Sequence, residues 1–340
     1  MQKSQPSVRQ GAQAIRKIVS SFPAVKYRLL HYLSLEEDKK EALRVNKGDY
    51  DKPLILSSDS RAKLVWWLHN VHSVYNNVEV SDPEVVISSD ACKIGWGCEC
   101  EGVTAGGQWL PIERQFHINY LELNVAFFAL KCFQSMIKGK HVRLMCDNMT
   151  TVACVNHMGT SHSPSCNSLT KDLWKWRIEQ TVWISAAHVP GVDNTGADLE
   201  SRSINLDMEW TLNPECLKFA RDLLGIVATI DLFASRLNQQ MNRFVAFRPD
   251  PSAVAVDAFS LSWKAETFYA FPPFSIVVKV LQKVQQDKAT GVLVIPDWPL
   301  QVWYPVVKRL LLTTPVHLTC RPDLLQLPSS PEEVHPLLQR

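Results

Sequence analysis

The chain has 340 residues, of which 46% are hydrophobic and 21% charged, with a formal net charge of +2. Such a composition describes an ordinary folded protein of about two domains and excludes a disordered, collagenous or disulfide-dense chain. Near-neutral charge also excludes a partner gathered by net charge alone, although residues 1–80 hold thirteen Lys and Arg against eight Asp and Glu, leaving +5 there. That local excess suits either a phosphate backbone or a solvated helical surface.

Residues 1–20 are polar and without a clear period, which predicts a frayed start. From Val25 to Tyr75 the pattern is helical: Leu29, Leu30, Tyr32 and Leu33 lead into the charged run Glu36–Lys40, and Leu64, Val65, Leu68 and Val71 recur around Trp66 and Trp67. Ser81-Asp82-Pro83 then breaks the chain. Three short strands are predicted over Val85–Asp90, Gly95–Cys100 and Gly106–Leu110, joined by tight turns. A long helix over Asn119–Lys138 follows, stopped by Gly139. After it come a strand at Val142–Cys146, helices at Asn148–His157 and Leu169–Thr181, a strand at Val182–Ala187, and a helix at Asn194–Ser203. Three antiparallel strands followed by alternating helix and strand imply an α/β fold with a mixed sheet flanked by helices.

Leu206–Leu212 reads as a linker. Beyond it, strands are predicted at Ile226–Leu232, Phe268–Phe271 and Val292–Ile295, with helices at Ile276–Gln286 and Val302–Leu312. This is a second, smaller Rossmann-like α/β pattern.

Four acidic residues stand where an isolated carboxylate is hard to explain. Asp90 ends the apolar run Val85-Val86-Ile87, Glu122 interrupts a nearly all-apolar helix, Asp147 closes the strand ending at Cys146, and Asp198 follows His188-Val189-Pro190-Gly191-Val192-Asp193-Asn194. Alone, Asp90 or Asp147 would read as a strand-end or capping residue, and Glu122 as a first-turn acid. Together they imply a cluster, and clustered carboxylates repel and lose hydration unless cations hold them. An all-oxygen set suits a hard divalent ion such as Mg²⁺, with Mn²⁺ as a substitute. Two such ions, roughly 4 Å apart, activate water and stabilise the leaving oxygen in phosphodiester cleavage. Asp193 competes with Asp198 for the fourth place. His188 fits a proton relay or an ordinary structural histidine. Asn119, Asn148, Thr151 and Asn194 are the candidate substrate contacts.

The nine cysteines form no C-x-x-C pair, which together with the lack of a leader suggests reduced thiols in an intracellular protein, in cytoplasm or nucleus. His157, His162 and Cys166 have no matching fourth ligand for zinc. No apolar stretch reaches the ~20 residues of a membrane span, so no membrane partner is expected.

At the four acids a resemblance becomes specific. Residues 84–203 resemble a type 1 ribonuclease H domain of a retroelement reverse transcriptase. Ser89-Asp90-Ala91, Tyr120-Leu121-Glu122-Leu123, Cys146-Asp147-Asn148 and Ala197-Asp198-Leu199-Glu200-Ser201-Arg202 follow the family order, and His188 precedes Asp198 by the family's ten residues. The resemblance implies two-metal cleavage of the RNA strand of RNA–DNA hybrids. It assigns Asp90, Glu122, Asp147 and Asp198 to the metals and His188 to catalysis. Pro23-Ala24-Val25 and Leu64-Val65-Trp66-Trp67 resemble the connection that precedes this domain in DIRS-type, tyrosine-recombinase retrotransposons. No Tyr-x-Asp-Asp signature is present, so the resemblance implies a polymerase domain supplied elsewhere in the parent element.

Residues 229–307 resemble a Dam-like adenine methyltransferase domain through Asp231-Leu232-Phe233-Ala234-Ser235, Asp257–Trp263, Phe271-Pro272-Pro273-Phe274 and Pro296-Asp297-Trp298-Pro299. Active relatives begin the third piece with Asn or Asp, whereas Phe271 offers no acceptor for the target amine, and Phe274 retains only a stacking ring. An inactive domain is therefore expected. The organisation expected is a helical connection remnant over 1–80, a ribonuclease H-like domain over 84–205, a methyltransferase-like domain over 213–320 and a tail over 321–340. The alternative is a non-catalytic nucleic-acid-binding remnant of a retrotransposon polyprotein.

Overall fold

A computed structural model describes residues 5–76, 82–203 and 209–339. Ser81 of the expected break and Leu206–Met208 of the expected linker lie outside the described residues. The chain divides into two compact units. One takes residues up to Ile87 with Glu122–Phe127 and Ser135–Asn194; the other takes Ser88–Leu121, Phe128–Gln134 and residues from Thr195 onward.

In the first unit, helix α1 (Val8–Ser20) opens the described chain, against the expectation of a frayed start. A capping box explains it: Ser7 Oγ accepts from the Gln10 amide while the Gln10 side chain accepts from the Ser7 amide. Helices α2 (Leu33–Val45) and α3 (Ser58–Asn70) complete the helical segment. Trp67 Nε1 donates to the His31 carbonyl at 2.8 Å, and His31 stacks on Trp66. Strand β1 (Val85–Ala91) runs from the first unit into the second, which holds β2 (Gly95–Cys100) and β3 (Val103–Gln108). The third begins three residues earlier than its apolar pattern suggested. Glu101 and Gly102 both take positive φ, the two-residue hairpin turn whose twist suits the flanking strands, and Cys100 pairs with Val103 directly.

The expected long helix is two pieces, α4 (Ile118–Cys132) and α5 (Gln134–Ile137), separated at Phe133. Strand β4 (His141–Cys146), helices α6 (Met149–Asn156) and α7 (Pro164–Glu179), strand β5 (Trp183–His188) and helix α8 (Thr195–Arg202) follow. Helix α7 starts five residues before its apolar rhythm because Ser163 caps it and Pro164 fills its first position. The mixed sheet has the order β3-β2-β1-β4-β5, three antiparallel strands and then parallel ones, flanked by helices, as the sequence implied. Strand β5 is an edge, and Asn156 of α6 satisfies part of it by pairing its amide with both backbone groups of Ala186.

The second unit, which also holds α8, continues with short strand β6 (Thr211–Leu212) and helix α9 (Pro214–Leu224). Strands β7 (Ile230–Asp231), β8 (Val245–Ala246), β9 (Ala255–Val256) and β10 (Thr267–Ala270) lead to helix α10 (Val277–Asp287). Strand β11 (Thr290–Leu293), helix α11 (Tyr304–Leu310) and strand β12 (Leu325–Gln326) end the series. A parallel sheet in the order β11-β10-β7 is the small α/β block expected from the sequence. Ile230, Leu232, Val245, Trp263, Phe268 and Val280 form its core. Within this same unit, half-buried Arg236 pairs with Glu113 and lies 4.4 Å over the Phe128 ring. Among the described residues no helix is long and apolar enough to cross a membrane.

Candidate metal centre

Asp90 is the sixth residue of β1 and only 6% exposed. Glu122 lies one turn into α4, within the apolar run Leu121–Leu130, and is 4% exposed. Asp147 follows the last residue of β4 and precedes Asn148, whose side chain caps α6. One carboxylate oxygen from each of these three acids falls within 4.8 Å of the others, and Asp147 is the most open. Among the described residues this is the group of His, Cys, Asp and Glu able to hold a metal ion. Burying two acids beside a third is costly without a cation, and the donors are all hard oxygens, so the set fits a hard divalent ion. His157, His162 and Cys166 form no such group.

Each acid arrives by a local device. The alternating burial of Val85, Ile87 and Ser89 holds β1 in the sheet, so Asp90 projects to the opposite face. The register of β4 with β5 sets Cys146 opposite His188, so Asp147 and the exposed imidazole of His188 leave neighbouring strand ends. The chain then turns back: the Val189 amide donates to the Cys146 carbonyl at 3.0 Å, and a Cβ on Gly191 would lie 3.4 Å from Asp147 Oδ2.

Asp198 sits on α8 outside the three-acid group, and its Oδ1 accepts from Arg202 Nε at 2.8 Å and Nη2 at 2.7 Å. That pair holds the Arg202 guanidinium above its ordinary pKa, and Asp90 adds to the effect from nearby. Asp193 is exposed in the turn before α8. Asn119 is half-buried in the first turn of α4. Asn148 Oδ1 accepts from the amides of Thr150 and Thr151, so that oxygen serves as a helix cap. Of the expected substrate contacts, Thr151 is fully enclosed on the inner face of α6 and Asn194 is 3% exposed, whereas Asn119 and Asn148 are half-buried.

Sequence reasoning passed over Ser201. Its Oγ donates to Asp90 Oδ2 at 2.6 Å, from the last turn of α8. The signal lay in the glycines of β2 and β3. A Cβ on Gly97 would come within 2.3 Å of the Ala197 carbonyl oxygen and 2.4 Å of the Ser201 amide, and one on Gly95 within 2.5 Å of the Ser201 carbonyl oxygen. Gly-Trp-Gly therefore marks a bed on which a helix backbone rests directly.

In the C-terminal block, Phe271 follows β10 and meets Phe274 edge-on at 6.1 Å, while Phe274 meets Trp298 at 5.4 Å. Asp231 ends β7 buried, and burial raises its pKa to about 6 despite amide donors from Phe233 and Gln240.

No family model matches the chain, and no curated protein matches it. Solved structures similar to it include a ribonuclease H1 from the halophilic archaeon Halobacterium salinarum, at 15% identity over 34% of this chain and 92% of that one, with a TM-score of 0.30. The ribonuclease H1 LC11, solved with an RNA/DNA hybrid, matches at 14% identity over 34% and 93%, with a TM-score of 0.31. A foamy viral protease-reverse transcriptase, also solved with an RNA/DNA hybrid, matches at 10% identity over 62% of this chain and 30% of its own, with a TM-score of 0.25.

Proposed function

We propose that the chain is a metal-dependent endonuclease that cleaves the RNA strand of RNA–DNA hybrids. The observation that carries this reading is the meeting of Asp90, Glu122 and Asp147 oxygens within 4.8 Å, two of them on buried residues. Asp90, Glu122 and Asp147 would hold Mg²⁺, or Mn²⁺ in its place, with Asp198 joining as the fourth ligand once its carboxylate leaves Arg202. A pair of such ions when bound lowers the pKa of the attacking water and neutralises charge on the scissile phosphate.

The protein's own groups supply the rest. Asp90 and Asp147 stand at the ends of the interior strands β1 and β4, where a cation held by the three acids would meet the scissile phosphate. His188, exposed at the end of β5, moves a proton through its ring nitrogens as product leaves. Asn119, half-buried in the first turn of α4 that also carries Glu122, is the candidate for a 2′-hydroxyl in the minor groove. Sugar identity rather than base sequence then selects the strand. The partners are the hybrid and the reverse-transcriptase polymerase domain of a parent element of the DIRS type.

The organisation that goes with this reading is a connection remnant over 1–80, the nuclease over 84–205, a methyltransferase-like domain over 213–320 and a tail over 321–340. Phe271 engages Phe274, which in turn engages Trp298, and this supports a C-terminal block without methyl transfer.

One observation favours a second reading, a nucleic-acid-binding remnant without catalysis: Asp198 is satisfied by Arg202 instead of standing in the acid group. Incubating the purified chain with labelled RNA–DNA hybrid separates the two. The nuclease reading expects cleavage with Mg²⁺, none with a chelator, and none for Asp147→Asn. Equal cleavage by that variant defeats it.

A further inference from the structure

We propose that Ser201 is a positioning residue that aims the Asp90 carboxylate at the cation. This rests on the reading of the three acids as a metal centre and adds to it a residue outside the acid set.

Serine in the last turn of a helix ordinarily bonds back to a carbonyl of the preceding turn. Ser201 has that option, since its Oγ is 2.9 Å from the Asp198 carbonyl oxygen. It also lies 2.6 Å from Asp90 Oδ2, across from α8 to β1. A hydroxyl carries one proton, and the shorter contact to a carboxylate has the length of a charge-assisted bond. The proton therefore goes to Asp90, and the Asp198 carbonyl is the alternative it forgoes.

The backbone carrying this hydroxyl has little room to move. Gly95 and Gly97 let the Ser201 carbonyl and amide sit where a Cβ would be 2.5 and 2.4 Å away, and Cys92 Sγ donates to the Ser201 carbonyl at 3.1 Å. Ser201 is 1% exposed, so water does not replace its bond. With the backbone held, one side-chain torsion decides where the proton points. Ser201 thereby occupies one oxygen of Asp90 and sets the plane of that carboxylate relative to Glu122 and Asp147. Outer partners of this kind orient metal-binding carboxylates and raise affinity without touching the ion.

The test is Mn²⁺ titration by calorimetry on the full chain and on Ser201→Ala, Ser201→Thr and Ser201→Cys. Loss of the donor in the alanine variant weakens Mn²⁺ binding by about 10- to 100-fold, the range found for such partners. Threonine keeps a hydroxyl and restores binding. Cysteine keeps the shape with a weaker donor and falls between, which also covers an alanine variant that does not fold. Raising Mn²⁺ restores hybrid cleavage by Ser201→Ala with an unchanged KM for the hybrid, a split that a general loss of structure does not produce. If the unsubstituted chain binds Mn²⁺ and Ser201→Ala binds equally well, this inference falls and the metal centre stands. The same holds if threonine binds as weakly as alanine. If the unsubstituted chain binds no Mn²⁺, the proposed function falls and the role of Ser201 with it.

Discussion

Replacing Asp147 with Asn should stabilise the metal-free protein, the reverse of the usual result of changing a residue held in place by its surroundings. Asp147 stands within 4.8 Å of carboxylate oxygens on Asp90 and Glu122. At that separation and an effective dielectric near 20, two unit charges repel by about 3.5 kcal/mol, an upper figure because Asp147 is open to water. Solvent screening brings the relief from both neighbours to about 1–2 kcal/mol. Against it stands the loss of a negative charge just before the N-terminus of α6, worth about 0.5 kcal/mol. Repulsion wins, by about 1 kcal/mol, which raises the melting temperature by about 2–4 °C for a unit of this size.

Adding the cation reverses the order. Saturation at a hundred times the dissociation constant stabilises the unsubstituted chain by about 2.7 kcal/mol, whereas Asp147→Asn, short of one ligand, gains little. Thermal melts in EDTA, then in Mg²⁺ or Mn²⁺, read both effects, and 1 M salt should erase the first because charges are then screened beyond about 3 Å. A variant less stable than its parent in EDTA, with an equal shift on adding metal, would refute the reasoning.

Three further predictions concern the second unit. Arg236→Met leaves half-buried Glu113 without its cation and should cost about 1–3 kcal/mol in urea unfolding, most of it recovered by adding Glu113→Gln. Asp231 has its pKa raised by burial from 3.8 to about 6, so the folded chain keeps a proton that the unfolded chain gives up. Its stabilising contribution is present below the lower value and lost as pH rises through the upper, about 3 kcal/mol in all, and Asp231→Asn should flatten that part of the stability profile. Gly97→Ala sets a methyl 2.3 Å from the Ala197 carbonyl oxygen, lifts α8 and should cost about 1–3 kcal/mol together with Mn²⁺ affinity.

The sheet and three of the four acids were legible because each rests on a short-range rule. Alternation along Val85–Ile87 and Val142–Cys146 marks half-buried strands, and an acid at the end of such a strand or inside Leu121–Leu130 is conspicuous against apolar neighbours. Helix α1 was missed because its buried face amounts to Val8 and Ile15, too little for a periodic signal, while its start is set by the Ser7–Gln10 capping box. The burial of Thr151 and Asn194, which lie near Asp147 and Asp198 in sequence, was not legible. Burial depends on which face of a turn meets the core, and that is decided by packing.

Helix α8 shows most clearly where sequence reasoning stops. Its spacing from His188 identified Asp198, yet the same eight residues place Arg202 one turn on, and an acid and a guanidinium at that interval on one helix face pair with each other. The carboxylate of Asp90 on β1 is answered instead by the Ser201 hydroxyl of the same helix, which nothing in the local pattern distinguishes from a solvent-facing one. What singles out Ser201 is the absence of side chains on Gly95 and Gly97, a hundred residues earlier in the chain. An acid cluster can thus be read from its acids, whereas the groups that aim those acids are read from the backbone contacts that bring two distant segments together.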